Sequence, residues 1–203
     1  MSDNSRRDAK HKAAMEKQKA SVDASIAAAE EERGVAILLT GNGKGKTSSA
    51  FGMVMRALGY GHKVGVVQFI KGEQLSGEEL YLKNQCPQVE FHQMGTGFTW
   101  DTQDRSTDIE AAKNTWALAV PMLKDHSFDL VVLDELTYML AFDYLSEADV
   151  LEAISHRPES QSVVVTGRGG GSALQDIMDT VSEVKDVKHA FNVGIKARKG
   201  VDY

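Results

Sequence analysis

Apolar and polar positions follow two distinct periodicities along this chain from residue 34 onward. Four short stretches are almost continuously apolar, as in strands that are buried on both faces of a parallel sheet, and residues 89–94 indicate a weaker strand. These predicted strands span residues 35–40, 63–70, 89–94, 129–134 and 162–166. Apolar residues at helical spacing predict helices over residues 47–58, 109–123 and 172–181. Strands that alternate with helices predict a three-layer α/β fold around a mostly parallel central sheet.

The first 33 residues differ in composition and predict an N-terminal helical arm, separate from one larger domain over residues 34–203. They hold seven Lys or Arg residues, seven Asp or Glu residues, and neither glycine nor proline. Met15, Val22, Ile26 and Ala29 fall on one thin apolar stripe of a helix. Such a stripe is too narrow to stabilise an isolated helix, so the arm either docks on something, such as a second subunit, or is disordered.

The bulk composition excludes several classes of function. The chain has 203 residues, of which 42% are hydrophobic and 26% charged, and its formal charge is −6. An acidic chain argues against a general nucleic-acid binder, because such proteins neutralise phosphates with basic residues. No apolar run has the length of a membrane span or of a signal-peptide core, which predicts a cytoplasmic protein without a membrane partner. The single cysteine, Cys86, fits a reducing compartment.

A glycine-rich loop, TGNGKGKT at residues 40–47, separates the first predicted strand from the first predicted helix. Its last part matches the phosphate-loop pattern, although Thr40 stands where the first glycine is usual. Lys46 supplies a point charge, the Thr47 hydroxyl can coordinate Mg²⁺, and Lys44 adds a second cation. Glycines let backbone N–H groups converge on phosphate oxygens, here at Gly41, Gly43 and Gly45. The loop therefore predicts an ATP-binding protein with a P-loop NTPase-like (RecA-like) fold; the alternative is a glycine-rich turn with chance lysines.

Two more strand ends carry polar groups to the same predicted edge of the sheet. Asp134 and Glu135 close the fourth strand, where a carboxylate can hold Mg²⁺ or act as a general base toward water. The alternative is a solvated strand end or a helix N-cap at Asp134. Arg168 lies in a glycine-rich loop after the fifth strand and could contact phosphate or ribose, or simply belong to a surface loop.

A third glycine-containing loop, GTGFTW at residues 95–100, places two aromatic residues close together. Exposed Phe98 and Trp100 would be costly unless a flat or apolar ligand covered them. They either fold back on the core or form a platform for a large planar ligand.

Taken together, these segments resemble the P-loop type of ATP:corrinoid adenosyltransferase of the bacterial cobalamin pathway. The similarity covers residues from about 32 to the C-terminus and runs in order along the chain. The matching segments are TGNGKGKT (40–47), VGVVQFIKG (64–72), GTGFTW (95–100), VVLDELTY (131–138), TGRG (166–169), DTVSEV (179–184), VKHAF (187–191) and the final GVDY. The form TGNGKGKT is also the family's own form of the loop, so the missing first glycine is no objection.

The resemblance implies a specific reaction. Members transfer the 5′-deoxyadenosyl group of ATP to cobalt(I) of a reduced corrinoid and release inorganic triphosphate. Lys46 would stabilise that leaving group, Asn42 would line the nucleotide, and Thr47 and Glu135 would hold Mg²⁺ or Mn²⁺. Phe98 and Trp100 would press against the corrinoid face, displace its lower cobalt ligand and ease reduction to cobalt(I).

The family also implies a homodimer, in which the N-terminal helix covers a neighbouring active site, and a reduced flavoprotein as the electron donor. Three other readings compete with it. A RecA-like ATPase would use Glu135 to activate water. A non-catalytic module would bind nucleotide or corrinoid without turnover. A nucleoside kinase would leave the GTGFTW loop without an evident role.

Overall fold

A six-stranded parallel sheet organises the larger part of the chain. The computed structural model describes residues 3–70, 75–95 and 104–203. Its strands are β1 (Ala36–Thr40), β2 (Val64–Gln68), β3 (Glu90–Gln93), β4 (Leu130–Asp134), β5 (Ser162–Thr166) and β6 (Thr180–Glu183). Their order in the sheet is β3-β2-β4-β5-β1-β6, and every neighbouring pair is parallel. The five predicted strands are confirmed, with bounds that differ by at most two residues.

Helices connect the strands. They are α1 (Asp3–Ala27), α2 (Lys46–Gly59), α3 (Gly77–Gln85), α4 (Arg105–Lys124), α5 (Leu136–Ala141), α6 (Glu147–Ser155) and α7 (Gly171–Asp176), with a 3₁₀ helix at Ala190–Val193. Polar caps begin several of them: the Asp104 carboxylate accepts the backbone N–H groups of Ser106 and Thr107 at the start of α4. None of the described helices combines the length and the apolar character that crossing a bilayer requires.

Two separate apolar cores lie on the two faces of the sheet, because successive strand residues point to opposite sides. Along β4, Val131 and Leu133 join the core that is covered by α4, α5, α6 and α7. Leu130 and Val132 join the core on the other face, which is covered by α2 and α3. This arrangement confirms the predicted three-layer α/β class with a parallel central sheet.

One predicted element is wrong. The stretch 172–181 was expected to form a single helix, but α7 ends at Asp176 and the chain then enters β6. All four residues of β6, TVSE, are exposed, because this strand forms the edge of the sheet beside β1. An exposed edge strand needs no apolar run, so periodicity could not reveal it.

The chain divides into two compact units, Met1–Glu32 and Arg33–Tyr203. Within the first unit, α1 is a single helix of 25 residues whose sequence is mostly charged residues and alanine. The second unit contains the sheet, its helices and the site described below.

A bidentate ion pair joins the start of β1 to the start of β6 in the second unit. Arg33 donates to both carboxylate oxygens of Asp179, at 3.0 Å and 2.7 Å, and the backbone N–H of Ala36 donates to one of them at 2.8 Å. These hydrogen bonds lower the pKa of Asp179 to about 2. The ionised carboxylate therefore ties the edge strand to the centre of the sheet.

We expect Asp179→Ala to lower the free energy of unfolding by about 1 kcal/mol, after allowance for solvent screening of this pair. Because the folded-state pKa is depressed, this contribution is complete above the ordinary carboxyl pKa of about 4 and is lost as the pH falls toward 2. Urea unfolding near neutral pH and near pH 3 measures both effects, with Asp176→Ala as the nearby control. A difference from wild type that stays equal at both pH values would contradict the role of the ionised carboxylate.

Candidate functional site

The carboxyl ends of four parallel strands meet at one edge of the sheet and present polar groups there. Thr40 ends β1 and opens the glycine-rich loop, while Gln68, Asp134 and Thr166 end β2, β4 and β5. In open α/β sheets this edge is where ligands bind. The topology thus brings the predicted loop and the predicted carboxylates together.

The glycine-rich loop wraps the N-terminus of α2 with backbone conformations that favour glycine. Gly41 has φ of +100° and Gly45, the residue that caps α2, has φ of +114°. The first backbone N–H groups of α2 have no partners within the helix, and the helix dipole gives this end partial positive charge. The loop and the helix start therefore form an anion site of the phosphate-binding type.

The backbone segment that follows β6 is hydrogen-bonded to the same loop. Gly43 donates its N–H to the carbonyl oxygen of Val184 at 2.7 Å, and Val184 donates to the carbonyl of Thr40 at 2.8 Å. A Cβ atom on Gly43 would lie 2.6 Å from the carbonyl oxygen of Lys185, and one on Gly41 would meet the carbonyl oxygen of Val184. Close backbone approach therefore requires glycine at both positions, and the positive φ of Gly41 favours glycine there as well.

Lys46 is buried at the start of α2, whereas Lys44 is exposed in the loop. The Lys46 ammonium donates one hydrogen bond to the carbonyl of Gly43 at 2.9 Å, and a lysine ammonium has three donors. Burial lowers the pKa of Lys46, and the nearby carboxylate of Glu135 opposes that shift. An approaching phosphate would favour the charged form further, since an opposite charge favours ionisation.

Asp134 is a buried carboxylate that joins four elements of the fold. Its Oδ1 accepts hydrogen bonds from the hydroxyls of Thr47, at 3.0 Å, and Thr166, at 2.6 Å. Its Oδ2 accepts from the amide of Gln68 at 2.9 Å. Burial raises the pKa of Asp134, and the same three donors pull it down. Because both oxygens already accept protein donors, Asp134 positions its neighbours.

Glu135 differs from Asp134 in having a free oxygen and a strained backbone. Its Oε2 is buried and has no hydrogen-bond partner among the residues that the structure describes. Its φ of +59° lies in the left-handed region, which is uncommon for a non-glycine residue. Burial and the neighbouring Asp134 carboxylate raise the pKa of Glu135 to about 7. A cation beside Oε2 would stabilise the ionised form and would satisfy the unpaired oxygen.

A Mg²⁺ or Mn²⁺ ion fits the residues at this point. The Thr47 hydroxyl donates its hydrogen bond to Asp134. The lone pairs of its oxygen therefore remain available to a hard cation. Glu135 could supply its Oε2, which has no partner in the part of the chain that the structure describes. Oxygen ligands of this kind, completed by water and phosphate oxygens, are what Mg²⁺ prefers.

The loop after β5 packs across the same edge of the sheet. The hydroxyl of Thr137 donates to the carbonyl of Arg168 at 2.8 Å, and that of Thr40 donates to the carbonyl of Gly169 at 2.7 Å. These bonds fix the backbone of the loop, while the Arg168 side chain faces the open cleft.

The cleft that these groups surround has a volume of about 500 Å³. It is lined by the predicted residues Asn42, Gly43, Lys44, Gly45, Lys46, Thr47, Glu135 and Arg168. Gly41 lies behind them in the loop. Phe98 and Trp100 lie outside the described residues. Tyr138, His189, Val201 and Asp202 also line the cleft.

Sequence reasoning assigned no chemistry to several of these groups. Gln68 and Thr166 hold Asp134, and Val184 holds the loop by its backbone. The only signal for them was their place in the segments VGVVQFIKG, TGRG and DTVSEV. His189 and Asp202 likewise belong to the segments VKHAF and GVDY, which the topology brings to the phosphate loop.

Comparisons with known proteins agree on one family. Residues 32–203 match the family model described as "ATP:corrinoid adenosyltransferase BtuR/CobO/CobP". A corrinoid adenosyltransferase of Pseudomonas aeruginosa is 52% identical over 203 residues and covers 100% of both chains. One from Escherichia coli is 50% identical over 97% of this chain and 99% of its own length. A more distant one from Sinorhizobium is 39% identical over 97% of this chain and 92% of its own length.

We expect Gly43→Ala to raise the dissociation constant of Mg-ATP by about tenfold or more, because a shift of the loop misplaces the phosphate-facing groups. The added methyl group would lie 2.6 Å from the Lys185 carbonyl oxygen, so the backbone must move. Isothermal titration calorimetry measures the change.

Gly52→Ala is the matched control. A Cβ atom at Gly52 meets nothing within 4 Å, and alanine is the better helix former by about 1 kcal/mol. Its ATP affinity should equal that of wild type. A folded Gly43→Ala variant with unchanged affinity would show that the contact with Lys185 does not shape the loop.

Proposed function

This chain belongs to the ATP:corrinoid adenosyltransferase family, and we propose that its glycine-rich loop holds the triphosphate of ATP while the 5′-deoxyadenosyl group passes to a reduced corrinoid. The observation that carries the proposal is the convergence on one cleft of the buried Lys46, the loop amides and the Glu135 carboxylate, whose Oε2 has no partner among the described residues. The family transfers the adenosyl group of ATP to cobalt(I). The chain is accordingly an ATP-using transferase of cobalamin metabolism.

The protein's main contribution is electrostatic. Cobalt(I) supplies the electron pair for the new bond to carbon 5′, and the bond from carbon 5′ to the phosphate oxygen breaks with its electrons on the triphosphate. No side chain has to become the nucleophile. Lys46, Lys44, Arg168 and the backbone amides of the loop would stabilise the negative charge that develops on the leaving group. Holding both substrates in line supplies the remaining effect by orientation.

A divalent cation, Mg²⁺ or Mn²⁺, would be held by the Thr47 hydroxyl and the Glu135 carboxylate and would neutralise phosphate charge when bound. Asp134 orients Thr47 by accepting a hydrogen bond from its hydroxyl at 3.0 Å. Asn42 would contact the nucleotide from the exposed side of the loop. Phe98 and Trp100 would meet the corrinoid face and weaken its lower cobalt ligand, a role that rests on the family resemblance.

We further propose a cytoplasmic homodimer that receives electrons from a reduced flavoprotein. The composition of helix α1 is an argument for a dimer. Its apolar stripe of Met15, Val22 and Ile26 is too thin to stabilise an isolated helix, so α1 needs a partner surface. The neighbouring subunit's cleft is the surface that the family resemblance indicates.

A hydrolytic ATPase is the alternative that one observation favours. A carboxylate whose pKa is raised to about 7, as in Glu135, would suit a general base toward water. The two functions differ in their products: adenosyl transfer releases triphosphate, and hydrolysis releases ADP and phosphate.

The purified protein, incubated without oxygen with Mg-ATP and chemically reduced cobalamin, tests the proposal. We expect a new corrinoid absorption spectrum that reverts in light, with triphosphate released in equal amount to the alkylated corrinoid. An unchanged spectrum with ADP and phosphate as products would replace the proposal by the ATPase function.

We expect Lys46→Ala to abolish turnover in the same assay, with a loss of about a hundredfold or more, because a preorganised charge at the leaving group is removed. Lys113→Ala, which removes an exposed lysine on α4, is the matched control and should retain wild-type rates. A rate near that of wild type in folded Lys46→Ala would contradict the leaving-group role.

A further inference from the structure

The last six residues fold into a turn that carries a carboxylate to the phosphate loop. We call residues 198–203 the C-terminal turn. The backbone N–H groups of Val201 and Asp202 donate to the carbonyl of Arg198 at 3.2 Å and 2.8 Å. One carboxylate oxygen of Asp202 accepts the backbone N–H of Arg198 at 2.9 Å. The side chain of Asp202 is therefore held in place by the turn that it closes.

The other carboxylate oxygen of Asp202 reaches the loop. It lies 2.7 Å from the Nζ atom of Lys44. The hydrogen bond from Lys44 is the first cause that lowers the pKa of Asp202 below its ordinary value, so the carboxylate is ionised at neutral pH. The Lys44 ammonium therefore forms an ion pair with an anionic oxygen of the protein, and a phosphate oxygen could form the same kind of ion pair.

The Asp202 carboxylate lies in the cleft that the phosphate loop and Lys46 make suitable for an anion. Asp202 and Val201 line the phosphate cleft, and they also line a second, mostly apolar cavity of about 500 Å³ between α2 and α3. The C-terminal turn therefore forms part of the wall between the two. Because like charges repel, a triphosphate in the cleft is opposed by Asp202 and attracted by the Lys44 that Asp202 holds.

We propose that Asp202 is an internal competitor of the triphosphate for Lys44. In the empty cleft Asp202 holds Lys44; when the nucleotide enters, Lys44 is released to a phosphate oxygen. After transfer, Asp202 draws Lys44 back and so favours departure of the triphosphate product. Asp202 is a positioning residue that acts through Lys44. The inference rests on the proposed function for the identity of the anion.

Binding of Mg-tripolyphosphate without corrinoid tests the proposal apart from catalysis. Asp202→Asn removes the charge but keeps an oxygen that accepts the Arg198 N–H. We expect its dissociation constant for tripolyphosphate, measured by calorimetry, to fall about two- to fivefold, the size of a solvent-accessible ion pair. Asp202→Ser retains an acceptor as well and should show the same gain.

Glu183→Gln is the charge-matched control. Glu183 pairs in register with Thr40 next to the loop, but its carboxylate lies 3.6 Å from Lys185 instead of contacting Lys44. Its tripolyphosphate affinity should equal that of wild type. A gain in this variant as large as that in Asp202→Asn would show that general charge, and not the contact with Lys44, sets the affinity.

The double variant separates the two partners. If Asp202 acts through Lys44, the gain from Asp202→Asn should be smaller in a Lys44→Ala background, where only direct repulsion remains; an equal or larger gain in that background overturns the inference. If wild type binds tripolyphosphate with the same affinity as Asp202→Asn, the inference is also wrong, but the proposed function is unaffected. Wild type that binds no tripolyphosphate refutes the proposed leaving-group site itself, and with it the competition.

Discussion

A buried carboxylate that must be hydrogen-bonded is the constraint around which the site is built. Asp134 is 2% exposed, and removing a carboxylate from water costs several kcal/mol unless donors replace the lost water. Thr47, Thr166 and Gln68 provide those donors from α2, β5 and β2. The hydrogen bonds to Asp134 thus fix the position of α2, the helix that follows the phosphate loop, relative to three strands of the sheet.

The same network extends beyond Asp134 in both directions. Gln68 accepts a hydrogen bond from the amide of Gln93 at 2.8 Å, and Gln93 accepts one from Lys83 at 3.0 Å, so β3 and α3 are joined to it. On the other side, Thr166 accepts the backbone N–H of Glu135 at 2.9 Å. That bond anchors the left-handed backbone of Glu135. The strain of such a conformation, about 1 kcal/mol or more, persists only where the surroundings hold it.

Much of this arrangement was predictable because it follows from burial and alternation. Strands β1, β2, β4 and β5 are buried on both faces, so their apolar runs were visible, and parallel topology then requires their carboxyl ends to share an edge. Strand β6 escaped prediction because TVSE is exposed and polar. Val184 and Lys185, which follow β6, contact the phosphate loop through backbone atoms, and side-chain patterns do not report such contacts.

Polar contacts between residues far apart in the chain could not be predicted from the sequence either. Asp202 meets Lys44 across more than 150 residues of chain, and no periodicity encodes that pairing. Sequence similarity singled out the GVDY segment without showing what it touches. The unequal roles of Asp134 and Glu135 also needed coordinates, because adjacent carboxylates look alike until their hydrogen-bond partners are known.

The geometry of a phosphate loop does not by itself select which bond of ATP breaks. Attack at the terminal phosphorus expels ADP and attack at carbon 5′ expels triphosphate, and Lys46 with a metal ion would stabilise either polyanion. The orientation of ATP relative to the acceptor would supply part of the selection, and the state of Glu135 would supply another part. A cation beside Oε2, which has no hydrogen-bond partner among the described residues, would make the carboxylate a poor base, because it would lower the pKa of Glu135 and occupy its lone pairs. A Glu135 that held a cation would therefore be less able to activate water, and hydrolysis would be disfavoured relative to transfer to cobalt.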